Sequence, residues 1–333
     1  MYAPLASFIE QLATLSSGDE SLKACRDLSH QIENTLRELY ARDPTHQLLT
    51  DPTVGLIDLF SAQPYLRTIH ARRICPSNLG EISDQYILPL SRYARRKDGE
   101  PATVTNLRTF LQNWEIFTER TLVSLDWSNV IAAGGSVGAC ITPLPTEIDG
   151  DVEKTRHYLQ HGVFANSDVD LFIWGLTVPE AEAKVIAVAK AVRDATPVKT
   201  ICVRTRHAIS IICGLPVAYL PYELNNVLRY SAEHPYRTVQ IVLRIYSSPA
   251  EVILSFDVDS AGVAFDGEKV LITPRAIVAI KTQINKVDMS RRSPSYEYRL
   301  AKYHPRGFEV LVEDLCRHKV NPEVRGLIQL IDV

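Results

Sequence analysis

The stretch Ser167-Asp-Val-Asp-Leu-Phe-Ile-Trp174 alternates polar and apolar residues for its first positions and is apolar thereafter. A strand that leaves a sheet edge for the core has this pattern. In that register Asp168 and Asp170 share one face, about 6.5 Å apart along the strand, and Val169 points to the other. Two carboxylates so placed can bracket hard divalent cations, and Mg²⁺ prefers carboxylates combined with substrate phosphates.

A second stretch, Ile131-Ala-Ala-Gly-Gly-Ser136, supplies the complement. Val130 to Ala133 reads as an apolar strand running into a Gly134-Gly135-Ser136 turn that opens a helix. Glycine lets the backbone approach a ligand closely, and exposed N–H groups at a helix start favour phosphate. Gly135 is the position expected to need a positive φ. Together the two stretches describe a metal and triphosphate site.

Gly-Gly-Ser followed by Asp-x-Asp in an apolar strand resembles the signature of the polymerase-beta-like nucleotidyltransferase superfamily. The resemblance spans roughly residues 103 to 310. It implies a small turn that grips a triphosphate, and three acids that hold two Mg²⁺ ions while a hydroxyl attacks the α-phosphorus. One departure is visible, because Val137 to Ser167 separate the two motifs where the family has a short helix. A loop insertion around residues 146 to 162 accounts for it. The third acid is expected from Asp257 or Asp259, in a run from Asp257 to Phe265 that looks like a strand. The strand candidate Thr238 to Tyr246 holds no Asp or Glu, so a site with two carboxylates and no turnover is the other reading.

Arg299-Leu-Ala-Lys302-Tyr303-His-Pro-Arg306-Gly-Phe308 resembles an R-x-x-K-Y-x-x-R-G-F segment of poorly characterised viral and eukaryotic nucleotidyltransferase-like proteins. Arg299 and Lys302 lie three apart on one helix face and Arg306 follows, so the three cations can converge on phosphates. A solvated basic face is the alternative.

The chain has 333 residues, of which 46% are hydrophobic, enough for about two domains with a sizeable core. A net charge of −3 gives no global attraction to long nucleic acid. The six cysteines show neither zinc spacing nor a disulfide framework, and no leader or apolar run near membrane length is seen, so a soluble cytoplasmic protein is expected.

The expected organisation is a helical N-terminal region over 1–98, an α/β core over 103–290 and a basic helical segment over 291–333. The helices include 51–60 and 81–94, and the charged run Arg95 to Pro101 is the linker. Thr177-Val-Pro-Glu180 is a capping box, and Arg204 to His207 a hairpin turn. The fold class is α+β, a mixed sheet flanked by helices. The expected function is Mg²⁺-dependent transfer of a nucleoside monophosphate from a nucleoside triphosphate, ATP by expectation, to a hydroxyl on a small molecule, a protein, or a nucleotide or RNA end. The alternative is an inactive fold that binds nucleotide or a partner for regulation.

Overall fold

The computed structural model describes residues 2–15, 19–70, 85–165, 167–214, 235–316 and 319. In chain order the helices are α1 (Ala3–Ala13), α2 (Asp19–Arg42), α3 (Leu107–Thr118), α4 (Gly135–Ile141), α5 (Val152–His161), α6 (Val178–Ala195), α7 (Pro249–Leu254), α8 (Pro274–Thr282) and α9 (Tyr296–Tyr303). The strands are β1 (Ile57–Asp58), β2 (Tyr86–Leu88), β3 (Val130–Ala133), β4 (Val169–Trp174), β5 (Thr200–Arg204), β6 (Ala208–Cys213), β7 (Val239–Tyr246), β8 (Val263–Phe265), β9 (Val270–Ile272), β10 (Ile284–Lys286) and β11 (Glu309–Leu311). The class is α+β, with a mixed main sheet and a helical N-terminal part. No helix among the described residues is long and apolar enough to cross a membrane.

Eight strands form the main sheet in the order β1-β9-β8-β3-β4-β7-β6-β5, and β10-β11-β2 form a second, smaller one. β3 is buried along its whole length, as its run of Val130, Ile131, Ala132 and Ala133 requires. It pairs antiparallel with β4, whereas β4 and β7 run parallel, with Asp170 opposite Gln240. Helix α6 starts at the Thr177/Glu180 capping box and buries Ala181, Val188 and Val192. The β5–β6 hairpin closes with Thr205 N donating to Ala208 O.

Several local expectations are corrected by the wider structure. Residues 51–60 form turns and β1 rather than a helix, because β1 pairs with β9 and becomes the edge of the main sheet. Within 81–94, residues 81–84 lie outside the described residues, and Tyr86–Leu88 is a strand captured by β11. The separation between Gly135 and Asp168 contains a helix of its own, α5, capped by Asp151. The charged run at 95–101 is not a free linker. Ile69 N donates to Glu100 O and Gly99 N to Ile69 O, Arg95 pairs with Glu309, and the Arg96 guanidinium donates to Pro101 O and Ala102 O.

The N-terminal helices are fastened to this core by charge as well as by apolar contact. Leu5, Phe8 and Leu12 of α1 and Cys25, Ile32 and Leu36 of α2 enter the main core. Beside them the fully buried Arg275 of α8 donates from Nε to Glu33 of α2 at 2.5 Å and from NH1 to Asp259 at 2.6 Å. Its NH2 reaches Phe256 O at 2.9 Å. Removing one partner of such a set leaves the others charged and desolvated, at a cost of about 3–5 kcal/mol. Arg275→Met should therefore lower unfolding free energy by about that amount. A urea titration followed by circular dichroism checks this, and a loss below 1 kcal/mol would mean that the network is not a structural anchor.

Candidate functional site

β4 and the residue just before it present Asp168, Asp170 and Phe172 on one face, and β7 beside it presents Gln240 and Val242. All five line a cavity of about 420 Å³. Its floor therefore changes from acidic at the start of β4 to apolar and aromatic two residues later, as period-two alternation dictates. Gly134 and Gly135 form one wall, and the segment from Ser255 to Asp257 another. Arg299, Lys302, Tyr303 and Arg306, from α9 and the turn after it, close the remaining side. The basic helix expected from sequence thus faces the carboxylate pair.

Neither Asp168 nor Asp170 has an ion pair among the described residues. Asp168 accepts a hydrogen bond from Gln240 Nε2 at 2.9 Å. Burial raises the pKa of the Asp168 carboxyl, against the opposing charges of Lys302 and Arg237. The Asp170 carboxyl is pushed up to about 6, first by burial and then by the Asp168 charge. Lys302 is lowered by burial and by the neighbouring Arg306, while the two aspartates pull it the other way. Both signs of charge are thus held desolvated in one cavity, short of full mutual neutralisation.

Arg306 is 7% exposed and spans two parts of the site. Its NH2 donates to Ser167 Oγ at 2.6 Å, next to Asp168, and its guanidinium lies over the rings of Phe164 and Tyr303. Nε finds no hydrogen-bond partner among the described residues. A Cβ added at Gly135 would sit 3.1 Å from Arg306 NH1, so the absence of a side chain there makes room for this cation. The positive φ expected at Gly135 belongs to Gly134 instead, at 83°. Ser136 is fully buried and does not line the cavity, and its Oγ also lacks a hydrogen-bond partner among the described residues.

The structure separates the two acids proposed for the third position. Asp257 lines the cavity, but Arg299 Nε and NH2 and Ser293 Oγ all donate to its carboxylate. Asp259 begins a short 3₁₀ turn, Asp259–Ala261, and does not line the cavity. Its Oδ1 accepts from Arg275 and its Oδ2 from Lys286 N. The strand expected from 257 onward is confined to Val263–Phe265 and pairs with β3 and β9, not β4. Beside β4 lies β7, where Gln240 occupies the register opposite Asp170. Among the described residues no three His, Cys, Asp or Glu side chains are grouped closely enough to hold a metal ion.

Sequence reading missed Arg237. Its guanidinium is buried, donates to the carbonyls of Phe117, Leu159, Phe164, Ala165 and Ser167, and lies 3.9 Å from the Phe117 ring centroid. It fixes the chain that leads into Asp168. It also missed Gln240, whose only sequence signal is a polar residue in an apolar strand.

Because the Asp170 carboxyl holds its proton more tightly folded than unfolded, this group's contribution falls as pH rises from 3.8 toward about 6. In metal-free buffer at pH 7.5, Asp170→Asn should therefore be more stable than wild type, by about 1–3 kcal/mol. Paired thermal melts from pH 3.5 to 7.5 should show the advantage growing with pH. An advantage unchanged across that range would exclude ionisation of Asp170 as its source.

The Gabija anti-defense 2 family profile matches residues 105–283, more than half of the chain, and the chain belongs to that family. An uncharacterized protein of Acanthamoeba polyphaga mimivirus is 30% identical over 205 residues, covering 60% of this chain and 39% of the relative. The chain therefore spans about two-fifths of that relative's length. No solved structure matches. The resemblance to the polymerase-beta-like nucleotidyltransferase superfamily is corrected by the family match. The matched range contains the Gly-Gly-Ser turn, Asp168 and Asp170, and it belongs to a different family.

Proposed function

We propose that this member of the Gabija anti-defense 2 family acts against a defense system in the cytoplasm by binding a nucleoside triphosphate with Mg²⁺ and transferring its nucleoside monophosphate to a hydroxyl acceptor. The observation that carries the proposal is the pairing of Asp168 and Asp170 without a cationic partner in a cavity that also holds Lys302 and Arg306. Asp168 and Asp170 would hold Mg²⁺, an ion that binds carboxylates together with substrate phosphates. Bound there, the ion would neutralise charge on the phosphates and lower the pKa of the acceptor hydroxyl.

The chain's own residues supply position and charge. Lys302 and Arg306 would donate to the phosphate oxygens, with the Arg306 guanidinium held in place by Ser167 and by the rings of Phe164 and Tyr303. Gln240 fixes the Asp168 carboxylate through its hydrogen bond. Phe172, Phe256 and Val242 form the apolar end of the cavity, where a base can leave water. In the transfer, the acceptor hydroxyl gives up its proton to water, its oxygen forms a bond to the α-phosphorus, the bond to the bridging oxygen breaks, and pyrophosphate leaves. ATP is the proposed nucleotide.

A second reading is nucleotide binding without turnover. It is favoured by Gln240 standing opposite Asp170, where a third carboxylate would complete the set. Incubating the protein with Mg²⁺ and ATP labelled at the α-phosphate, in extract of cells carrying the defense system, separates the two. Transfer predicts label on a product, with pyrophosphate released, and loss of both in Asp168→Ala and Asp170→Ala. Mg²⁺-dependent ATP binding with no labelled product would favour the second reading. Absence of Mg²⁺-dependent binding would overturn both.

A further inference from the structure

Asp257 belongs to the cavity by position but not by availability. Arg299 grips it with Nε and NH2, and Ser293 Oγ donates to Oδ2 at 2.9 Å. The backbone on either side of Asp257 is clamped, because Arg275 holds the carbonyl of Phe256 and the carboxylate of Asp259 together. Arg299 is the more exposed partner. Its side chain is 38% exposed against 10% for Asp257, and it lines the cavity three residues before Lys302. A carboxylate and a triphosphate offer a guanidinium the same bidentate geometry, and the triphosphate carries more charge.

Resting on the nucleotide reading above, we propose that Asp257 and Arg299 form an exchange latch. The phosphates of an incoming nucleotide take Arg299, and Asp257, released, turns to the cation held by Asp168 and Asp170 as its third carboxylate. The pair thus keeps a third acid out of the site until substrate is present. The latch prevents three carboxylates from facing one another uncompensated. It also imposes an order, with nucleotide preceding the full metal complement. Ser293, which donates to Asp257 and also accepts from Arg299, holds the closed form.

Removing either partner should release the other. Mn²⁺ alone, titrated calorimetrically, should bind Arg299→Ala on the order of tenfold more tightly than wild type, and Arg299→Ala/Asp257→Asn should lose the gain. Reciprocally, a non-hydrolysable ATP analogue in chelator should bind Asp257→Asn several-fold more tightly than wild type, because Arg299 is then free for phosphate. Thermal melts of each variant establish that it is folded, and Arg299→Gln repeats the first arm should Arg299→Ala not fold. Failure of either increase overturns the latch. Asp168→Asn isolates the parent reading. If it abolishes Mn²⁺ binding while Arg299→Ala shows no gain, only the latch falls. If Mn²⁺ binding survives Asp168→Asn, the carboxylate-pair reading falls with it.

Discussion

A fully buried guanidinium must be matched by charge and hydrogen bonds, and Arg275 meets this demand by drawing together three parts of the chain. Glu33 comes from the N-terminal helical region, Asp259 from the turn before β8, and Phe256 O from the wall of the cavity. The N-terminal helices are thereby structural parts of the site's scaffold. Arg291 extends the same network, donating to Leu254 O and Asn34 Oδ1 while also lining the cavity. The wall opposite the carboxylates is therefore held by electrostatics from beneath, and Asp257 can face the cavity because Asp259 is committed to the interior.

The cavity is an unfavourable place made tolerable by its surroundings. Desolvation raises the aspartates' pKa values and lowers those of Lys302 and Arg306, so each sign of charge is held below its ordinary strength. A ligand that carries its own cations and anions relieves both at once. This is the physical argument behind the proposal of a metal-bound polyphosphate rather than a neutral molecule as the ligand.

What was legible in the sequence was what local periodicity encodes. The tripeptide Asp-Val-Asp occurs twice, at 168–170 and at 257–259. In the first copy the apolar run that follows forces a strand, so both acids share a face. In the second, the apolar residues come too late, and the pull of Arg275 on Asp259 turns the chain into a 3₁₀ turn, sending the two acids to different places. No local pattern distinguishes the copies at the level of the tripeptide. Arg237 was invisible for a related reason, since its partners are backbone carbonyls, which carry no side-chain signature. The run at 95–101 looked like a linker because the partners of the Arg95 guanidinium and of the Arg96 backbone N–H, Glu309 and Gln283, lie 214 and 187 residues away. Gln240 gained meaning only once β7 was known to lie parallel to β4.

That parallel pairing bears on how the molecule assembles. β4 meets β3 across a connection containing α4 and α5, but it meets β7 only after α6, the β5–β6 hairpin and the segment beyond have been placed. Loop-closure entropy must be overcome before such a pair forms, which makes it a late step in folding. Until β7 docks, Asp168 and Asp170 stay in water, where two ionised carboxylates cost little. The electrostatic penalty of the site is thus deferred to the end of folding, after the antiparallel β3–β4 pair and its helices have supplied the burial that offsets it.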